Sequence, residues 1–305
     1  MNSIDLVIPS IPSDIDNFLR YRKYLERFLS IKNIIVIGNQ KVESHLSNDS
    51  DIHFINENEF VDIEKIKEII FERTGDKKST KRAGWYAQQF IKMGYSRNCK
   101  EEYYLLWDSD TIPLKNISFF EGKNPVFDCK TEYHKAYFQT ISDIFPGLKK
   151  RIKKSFISEH MIINSTIMRE LIEKIESYSL IKGNSYVEKI MYAVPEESLA
   201  FSGFSEFETY GTYTTTMYPN LYKIREWKSM RYGSFFFNDT ITLSDEDIKW
   251  LSKFYDAISF EKIHSLSFVS KIINMKYYKK IFGPTSLEIW GVMVRCYNRI
   301  RNSIS

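Results

Sequence analysis

Cysteine is scarce in this sequence: Cys99, Cys129 and Cys296 lie far apart, with no CxxC pair and no histidine at ligand spacing. That argues against a disulfide framework and a structural zinc site, and fits a reducing cytosol. No apolar run reaches the roughly 18 residues of a membrane span. The start, Met1-Asn2-Ser3-Ile4-Asp5, lacks the basic opening and long apolar stretch of a secretion signal, so a cytoplasmic location is expected. Charge of one sign is also sparse. Lys and Arg number 43 against 39 Asp and Glu, a net of +4, where a dedicated nucleic-acid binder carries a strong basic field. No GxGxxG follows the first apolar run and no GxxxxGK[ST] occurs anywhere, which makes NAD-dependent hydride transfer and P-loop phosphoryl transfer poor readings. Internal repeats and low-complexity linkers are missing as well.

The chain has enough residues for a sizeable core: 305, of which 43% are hydrophobic. One large α/β domain with an extension, or two smaller domains, both fit. Ile4 to Pro9 reads as a buried strand, Asp14 to Leu29 as a helix, and Ile34 to Gly38 as a second strand. This β-α-β order implies parallel strands. His53 to Ile55 reads as a third strand, Ile63 to Phe71 and Gly84 to Met93 as helices, and Tyr103 to Trp107 as a central strand. An open α/β sheet flanked by helices is the expected fold, with ligands beyond the carboxyl ends of its strands. Further on, Ile157 to Asn164 looks strand-like and Ser165 to Ser177 helical, and Ser205 to Tyr213 begins another helix. From about Leu243 the pattern is mostly helical and increasingly basic. Residues 271–305 carry seven basic residues and one acid, Glu288. We therefore expect an α/β domain over 1–242 and a basic helical extension over 243–305.

The sharpest signal comes directly after the YYLLW strand. Asp108 and Asp110 emerge at i and i+2, where two carboxylates can share a hard divalent cation that also takes phosphate oxygens. The bland reading is an acidic turn with Asp110 capping the next element. A second D-x-D, Asp49 and Asp51, sits in a polar stretch and reads as loop. On the helix from Gly84, Trp85, Gln88, Gln89 and Lys92 fall on one face. An aromatic plane, two amides and an ammonium there make a nucleotide platform, unless Trp85 simply belongs to the core. Glu206, Glu208 and His160 are the candidate catalytic residues. Glu206 would sit in a first helical turn as a general base on an acceptor hydroxyl. Ser205 and Glu208 match a capping box, which gives Glu208 a structural reading too. His160 opens onto an apolar run and suits a cleft edge. Lys149 to Lys154 holds five bases in six residues, read as a solvated loop.

Taken together, an N-terminal strand ending VIPS, a GWYxQQxxK helix, a strand ending in DSD and a later FSEFETYG resemble bacterial GT-A glycosyltransferases of the capsule and O-antigen type. The resemblance covers about residues 1–240. It implies a GT-A-like mixed sheet and transfer of a sugar from a nucleotide-sugar donor, UDP-sugar favoured, to a glycan or lipid-linked acceptor. Asp110 would bind Mn²⁺ or Mg²⁺, and Asp108 the metal or the donor ribose. Pro9 and Ser10 would lie at the nucleotide edge, with Trp85, Gln88, Gln89 and Lys92 nearby. Glu206 would be the base if configuration inverts; if it is retained, Glu206 would orient the acceptor. Many GT-A enzymes add a late histidine ligand, for which His264 is the sole late candidate.

Two other readings compete. A sugar nucleotidyltransferase shares fold and metal but needs a Gly-rich, Arg-containing loop after the first strand, and Pro9-Ser10-Ile11-Pro12-Ser13 offers none. A non-enzymatic glycan- or membrane-binding module would leave the Asp pair dispensable. The tail bears on the last point. Ser286 to Asn302 projects as a two-faced helix, with Glu288, Gly291, Arg295 and Arg299 on one side and Ile289, Trp290, Met293, Val294 and Tyr297 over much of the rest. It either holds the protein peripherally on the anionic inner face of the cytoplasmic membrane or packs on the catalytic domain. Nucleic acid is not an expected partner.

Overall fold

The apolar runs become strands and the amphipathic segments helices. A computed structural model describes residues 4–46, 49–237, 243–261 and 275–304. The strands are β1 (Ile4–Pro9), β2 (Ile31–Gly38), β3 (Ile52–Asn56), β4 (Tyr103–Trp107), β5 (Thr111–Pro113), β6 (Phe120–Glu121), β7 (Asn124–Cys129), β8 (His160–Asn164), β9 (Lys223–Glu226), β10 (Ser229–Met230) and β11 (Ala257–Ser259). The helices are α1 (Pro12–Phe28), α2 (Gln40–Leu46), α3 (Ile63–Thr74), α4 (Ala83–Gly94), α5 (Lys135–Ile144), α6 (Ser165–Ser177), α7 (Tyr186–Ala193), α8 (Glu206–Met217), α9 (Gly233–Phe236) and α10 (Asp245–Leu251). Two more helices, Met275–Ile281 and Ser286–Ile304, come after them. Among the described residues no helix is long and apolar enough to cross a membrane.

The chain divides into two units, the first made of Met1–Ile11, Ile31–Trp107 and Phe119–Glu226. Its main sheet has the order β3-β2-β1-β4-β8. The first four strands run parallel, and β8 runs antiparallel to β4. Every residue of β1 is buried, as expected of a parallel strand covered on both faces. Tyr104 to Trp107 of β4 are likewise buried. The helices of this unit flank the sheet and are set by local signals. The Asp62 side chain accepts from Lys65 N at the start of α3, and Gly75 ends it in the left-handed conformation at φ 63. Asn164 accepts from Thr166 N and Ile167 N and so starts α6 as β8 ends. Within α8, Gly211 is required by close approach, since a Cβ there would meet the Phe156 ring at 2.3 Å.

The bounds of β1, β4 and α6 agree with the sequence expectation, whereas the strand expected from Ile157 begins at His160. A small sheet, β6-β7-β9, has no counterpart in the sequence pattern, and neither have α5 and α7.

The second unit comprises Pro12–Ser30, Asp108–Ser118 and Trp227–Ser305. The extension expected over 243–305 therefore shares a unit with α1 and the segment after β4. A three-stranded sheet of order β10-β11-β5 organises the unit, with β11 antiparallel to β5. β11 interrupts the mostly helical tail that the sequence implies, because Ala257, Ile258 and Ser259 are all buried in this sheet. α1 is tied to the β5 segment through Ile117 N, which donates to Phe28 O. Ser244 and Asp247 form a reciprocal capping box at the start of α10. His264 and Lys271 lie outside the described residues.

Candidate functional site

β4 delivers the acidic turn. The strand ends on the buried Trp107, and the chain enters the second unit at Asp108. Asp108 and Asp110 are half-buried, and Ser109 between them is buried. Thr111 N donates to Asp108 O at 3.1 Å, which closes the turn. The residue after Asp110 opens strand β5, so Asp110 caps no helix. Its Oδ1 instead accepts from Thr111 Oγ1 at 3.1 Å. Within the same unit, Tyr21 of α1 is fully buried. Burial first, then the negative charges of Asp110, Asp14 and Asp108, push its phenol well above the ordinary range. Negative charge thus gathers around the Tyr21 phenol. The other D-x-D is a loop, as expected: Asp49 Oδ1 accepts from Asp51 N at 3.1 Å in a local turn.

Two carboxylates supply hard oxygen ligands but do not complete a shell. Among the described residues no group of three or more His, Cys, Asp or Glu side chains is placed to hold a metal. Two carboxylates are the donor chemistry that a hard divalent cation also bound by phosphate oxygens and water would use.

In the first unit, the α4 face divides by depth. Trp85 and Gln88 are half-buried, whereas Gln89 and Lys92 are buried. The Arg82 guanidinium lies 4.0 Å from the Trp85 ring centroid, a cation–π contact that nothing in the sequence flagged. Gln89 Oε1 accepts from Glu206 N at 3.3 Å, which gives that amide at the start of α8 a partner. Lys92 Nζ lies 3.0 Å from Glu206 Oε1 and 4.6 Å from the Phe207 ring centroid. The sequence suggests separate tasks for Lys92 and Glu206, one on phosphate and one on the acceptor. The packing of α4 against α8 makes them one buried ion pair, since neither charge could be buried without the other.

Pro9 and Ser10 lie where expected, at the carboxyl end of β1. Pro9 pairs with Ile37, and the buried Ser10 donates its N–H to Ile37 O at 2.8 Å.

Glu208 requires a correction. Ser205 Oγ accepts from Glu208 N at 3.2 Å, but the capping box is not reciprocal. The Glu208 carboxylate turns away to accept from Ser155 Oγ, from Phe156 N at 3.1 Å and from Lys150 Nζ at 3.4 Å. Burial raises its pKa, against the pull of Ser155 and Lys150. These bonds fasten the 150–156 segment to α8, and we assign Glu208 no catalytic role. Lys150 also departs from the solvated loop expected for the basic run, while Lys149, Arg151 and Lys153 are exposed as expected.

His160 is not at a cleft edge; it is 2% exposed. It pairs with Trp107 across the β4–β8 ladder and stacks on that ring at 5.0 Å between centroids. Its Nε2 lies 2.8 Å from Asp128 Oδ2. Asp128 accepts from Arg225 Nε at 2.6 Å and Nη2 at 2.7 Å. Burial opposes the Asp128 charge, but Arg225 and His160 outweigh it and hold the carboxyl below its usual range. The imidazole thus braces the residue that precedes Asp108. Asp128 and Arg225 carry no motif, and only the register of β7 beside β9, where the two face each other, brings them together.

Fold and site define an α/β protein with a half-buried acidic turn directly after the buried strand β4, which lies between β1 and β8. The chain belongs to the family described as Family of unknown function (DUF6492), whose model matches residues 1–266. No curated protein matches it. Among solved structures it is similar to mouse xyloside xylosyltransferase 1, at 12% identity over 88% of this chain and 100% of that one, with a TM-score of 0.42. It is also similar to the galactosyltransferase LgtC in complex with donor and acceptor sugar analogs, at 10% identity over 91% and 94% of the two chains, TM-score 0.42. A third is the mannosyltransferase Ktr4p from S. cerevisiae in complex with GDP, at 13% identity over 67% and 68%, TM-score 0.39.

Proposed function

We propose that the protein is a metal-dependent glycosyltransferase of bacterial surface polysaccharide assembly, of the capsule or O-antigen kind. It moves a sugar from a nucleotide-sugar donor, with UDP-sugars favoured, to a glycan or lipid-linked acceptor at the inner face of the cytoplasmic membrane. The observation that carries this reading is the pair Asp108 and Asp110, half-buried on the turn after β4. A fully exposed turn would leave such carboxylates solvated, whereas partial burial strengthens their attraction for a cation.

Asp110 holds the cation, and Asp108 holds the cation or the donor ribose. Bound Mn²⁺ or Mg²⁺ would supply Lewis-acid charge to the departing diphosphate. Pro9 and Ser10 border the nucleotide, Trp85 offers a stacking plane and Gln88 a hydrogen-bonding amide. In direct displacement the acceptor oxygen bonds to the anomeric carbon while the bond to the diphosphate breaks. The acceptor proton passes to Glu206, whose carboxylate has the Lys92 ammonium as its counter-charge. With retention, the same carboxylate orients the acceptor hydroxyl.

A panel of nucleotide sugars, each incubated with the protein and Mn²⁺, tests the reading through nucleotide release. One class of donor should turn over. Absence of release and of any donor-induced thermal shift across the panel would overturn it.

A further inference from the structure

We infer that the terminal helix Ser286–Ile304 docks the protein on an anionic lipid surface through a face that is exposed among the described residues. Half of the large apolar side chains exposed among the described residues fall between 277 and 297. On the terminal helix these include Ile289 at 67%, Trp290 at 37%, Met293 at 55% and Tyr297 at 63% exposure. The helix does not need them for packing. Leu287 and Val294 are buried, and Gly291 lets the helix approach Tyr232 so closely that a Cβ would meet the ring at 2.5 Å. At about 100° per residue, Leu287, Gly291 and Val294 form one stripe, and Ile289, Met293 and Tyr297 form another well apart from it. Packing and insertion, the two outcomes open in the sequence, are thus borne by different faces of one helix.

Charge selects the occupant. Residues 271–305 hold seven basic residues and one acid; Lys279 is paired with Asp247 at 2.6 Å, and the other six stay within the range of basic clusters that read as anionic-lipid binding beside an amphipathic helix. The single acid, Glu288, faces Tyr255, where its charge helps raise the phenol. Lys280 and Arg295 are exposed. Trp290 and Tyr297 are the amphipathic aromatics that settle at headgroup level. An exposed apolar stripe on a segment of net positive charge fits an anionic bilayer surface, with the helix lying in the interface rather than crossing it.

Sedimentation of the full chain with phosphatidylcholine vesicles, with and without phosphatidylglycerol, tests this. Binding should require phosphatidylglycerol and fall at high salt. Ile289→Glu together with Met293→Glu should weaken it about tenfold or more while Tm stays unchanged, because both side chains are exposed. Vesicle binding that survives the double variant, or none by the wild type, would overturn the inference. So would a solution dimer that the double variant splits, which would give the face to a second copy of the chain. The assay involves no sugar transfer, so its failure leaves the proposed function standing.

Discussion

Lys92 Nζ and Glu206 Oε1 stand 3.0 Å apart with each side chain only 5% exposed, so the two charges are buried together. A glutamate reserved for chemistry and a lysine reserved for phosphate would each face a cleft alone. Here each is the other's condition for burial, which changes how substitutions at either position must be read.

Lys92→Met is therefore not a clean probe of phosphate binding. It strands a buried carboxylate and should lower stability by roughly 3–5 kcal/mol. Glu206→Gln should also destabilise. The double variant should recover much of the loss in chemical denaturation yet show no sugar transfer. Additive losses in this cycle would mean the pair is not coupled.

Gln88 becomes the better probe of the α4 face, since it is half-exposed while Gln89 serves the start of α8. Gln88→Ala should weaken nucleotide affinity by roughly 0.5–1.5 kcal/mol, one hydrogen bond, without moving Tm. Gln89→Ala should lower Tm. Calorimetric titration with nucleotide distinguishes the two, and unchanged affinity in Gln88→Ala removes this face from the site.

Glu208→Gln should retain transfer with a small change in Tm, because the amide oxygen can still accept from Ser155 and Phe156. Glu208→Ala leaves Phe156 N buried and unpaired and should cost about 1–3 kcal/mol. Loss of turnover in a stable Glu208→Gln protein would restore this residue to the mechanism.

The pKa of Asp128 is lower folded than unfolded. Its contribution to stability is therefore full above an unfolded value of about 3.9 and fades as pH falls through the folded value. Denaturation midpoints of wild type should drop across that acid window. Asp128→Asn should be less stable at neutral pH, with a shallower acid limb. Parallel pH profiles for the two proteins would show that the Arg225 and His160 contacts add nothing.

Elements made of contiguous buried residues are legible in the sequence. β1 and β4 are continuous apolar runs, and Asn164 marks the start of α6 by its own side chain. β11 is not legible, because three residues carry no period and their burial depends on pairing with β5. At the site, residue types are readable and their depth is not. Lys92 looks solvent-facing until its counter-charge on α8 is known. His160 looks like a cleft residue until Asp128 arrives from β7. In the terminal helix, hydropathy places Gly291 with the polar face, whereas its missing side chain is what lets the helix pack on Tyr232.

The central claim is that Asp108 and Asp110 hold a divalent cation for transfer from a nucleotide sugar. Initial rates of nucleotide release across a Mn²⁺ titration, in wild type and Asp110→Asn, test it most directly. Asparagine keeps the size of the side chain and an oxygen for Thr111 Oγ1 but removes the charge that offsets the cation. The account predicts release that saturates with Mn²⁺, stops in EDTA and falls by orders of magnitude in Asp110→Asn at nearly unchanged Tm. Full release in EDTA, or in the Asp110→Asn protein, would contradict it.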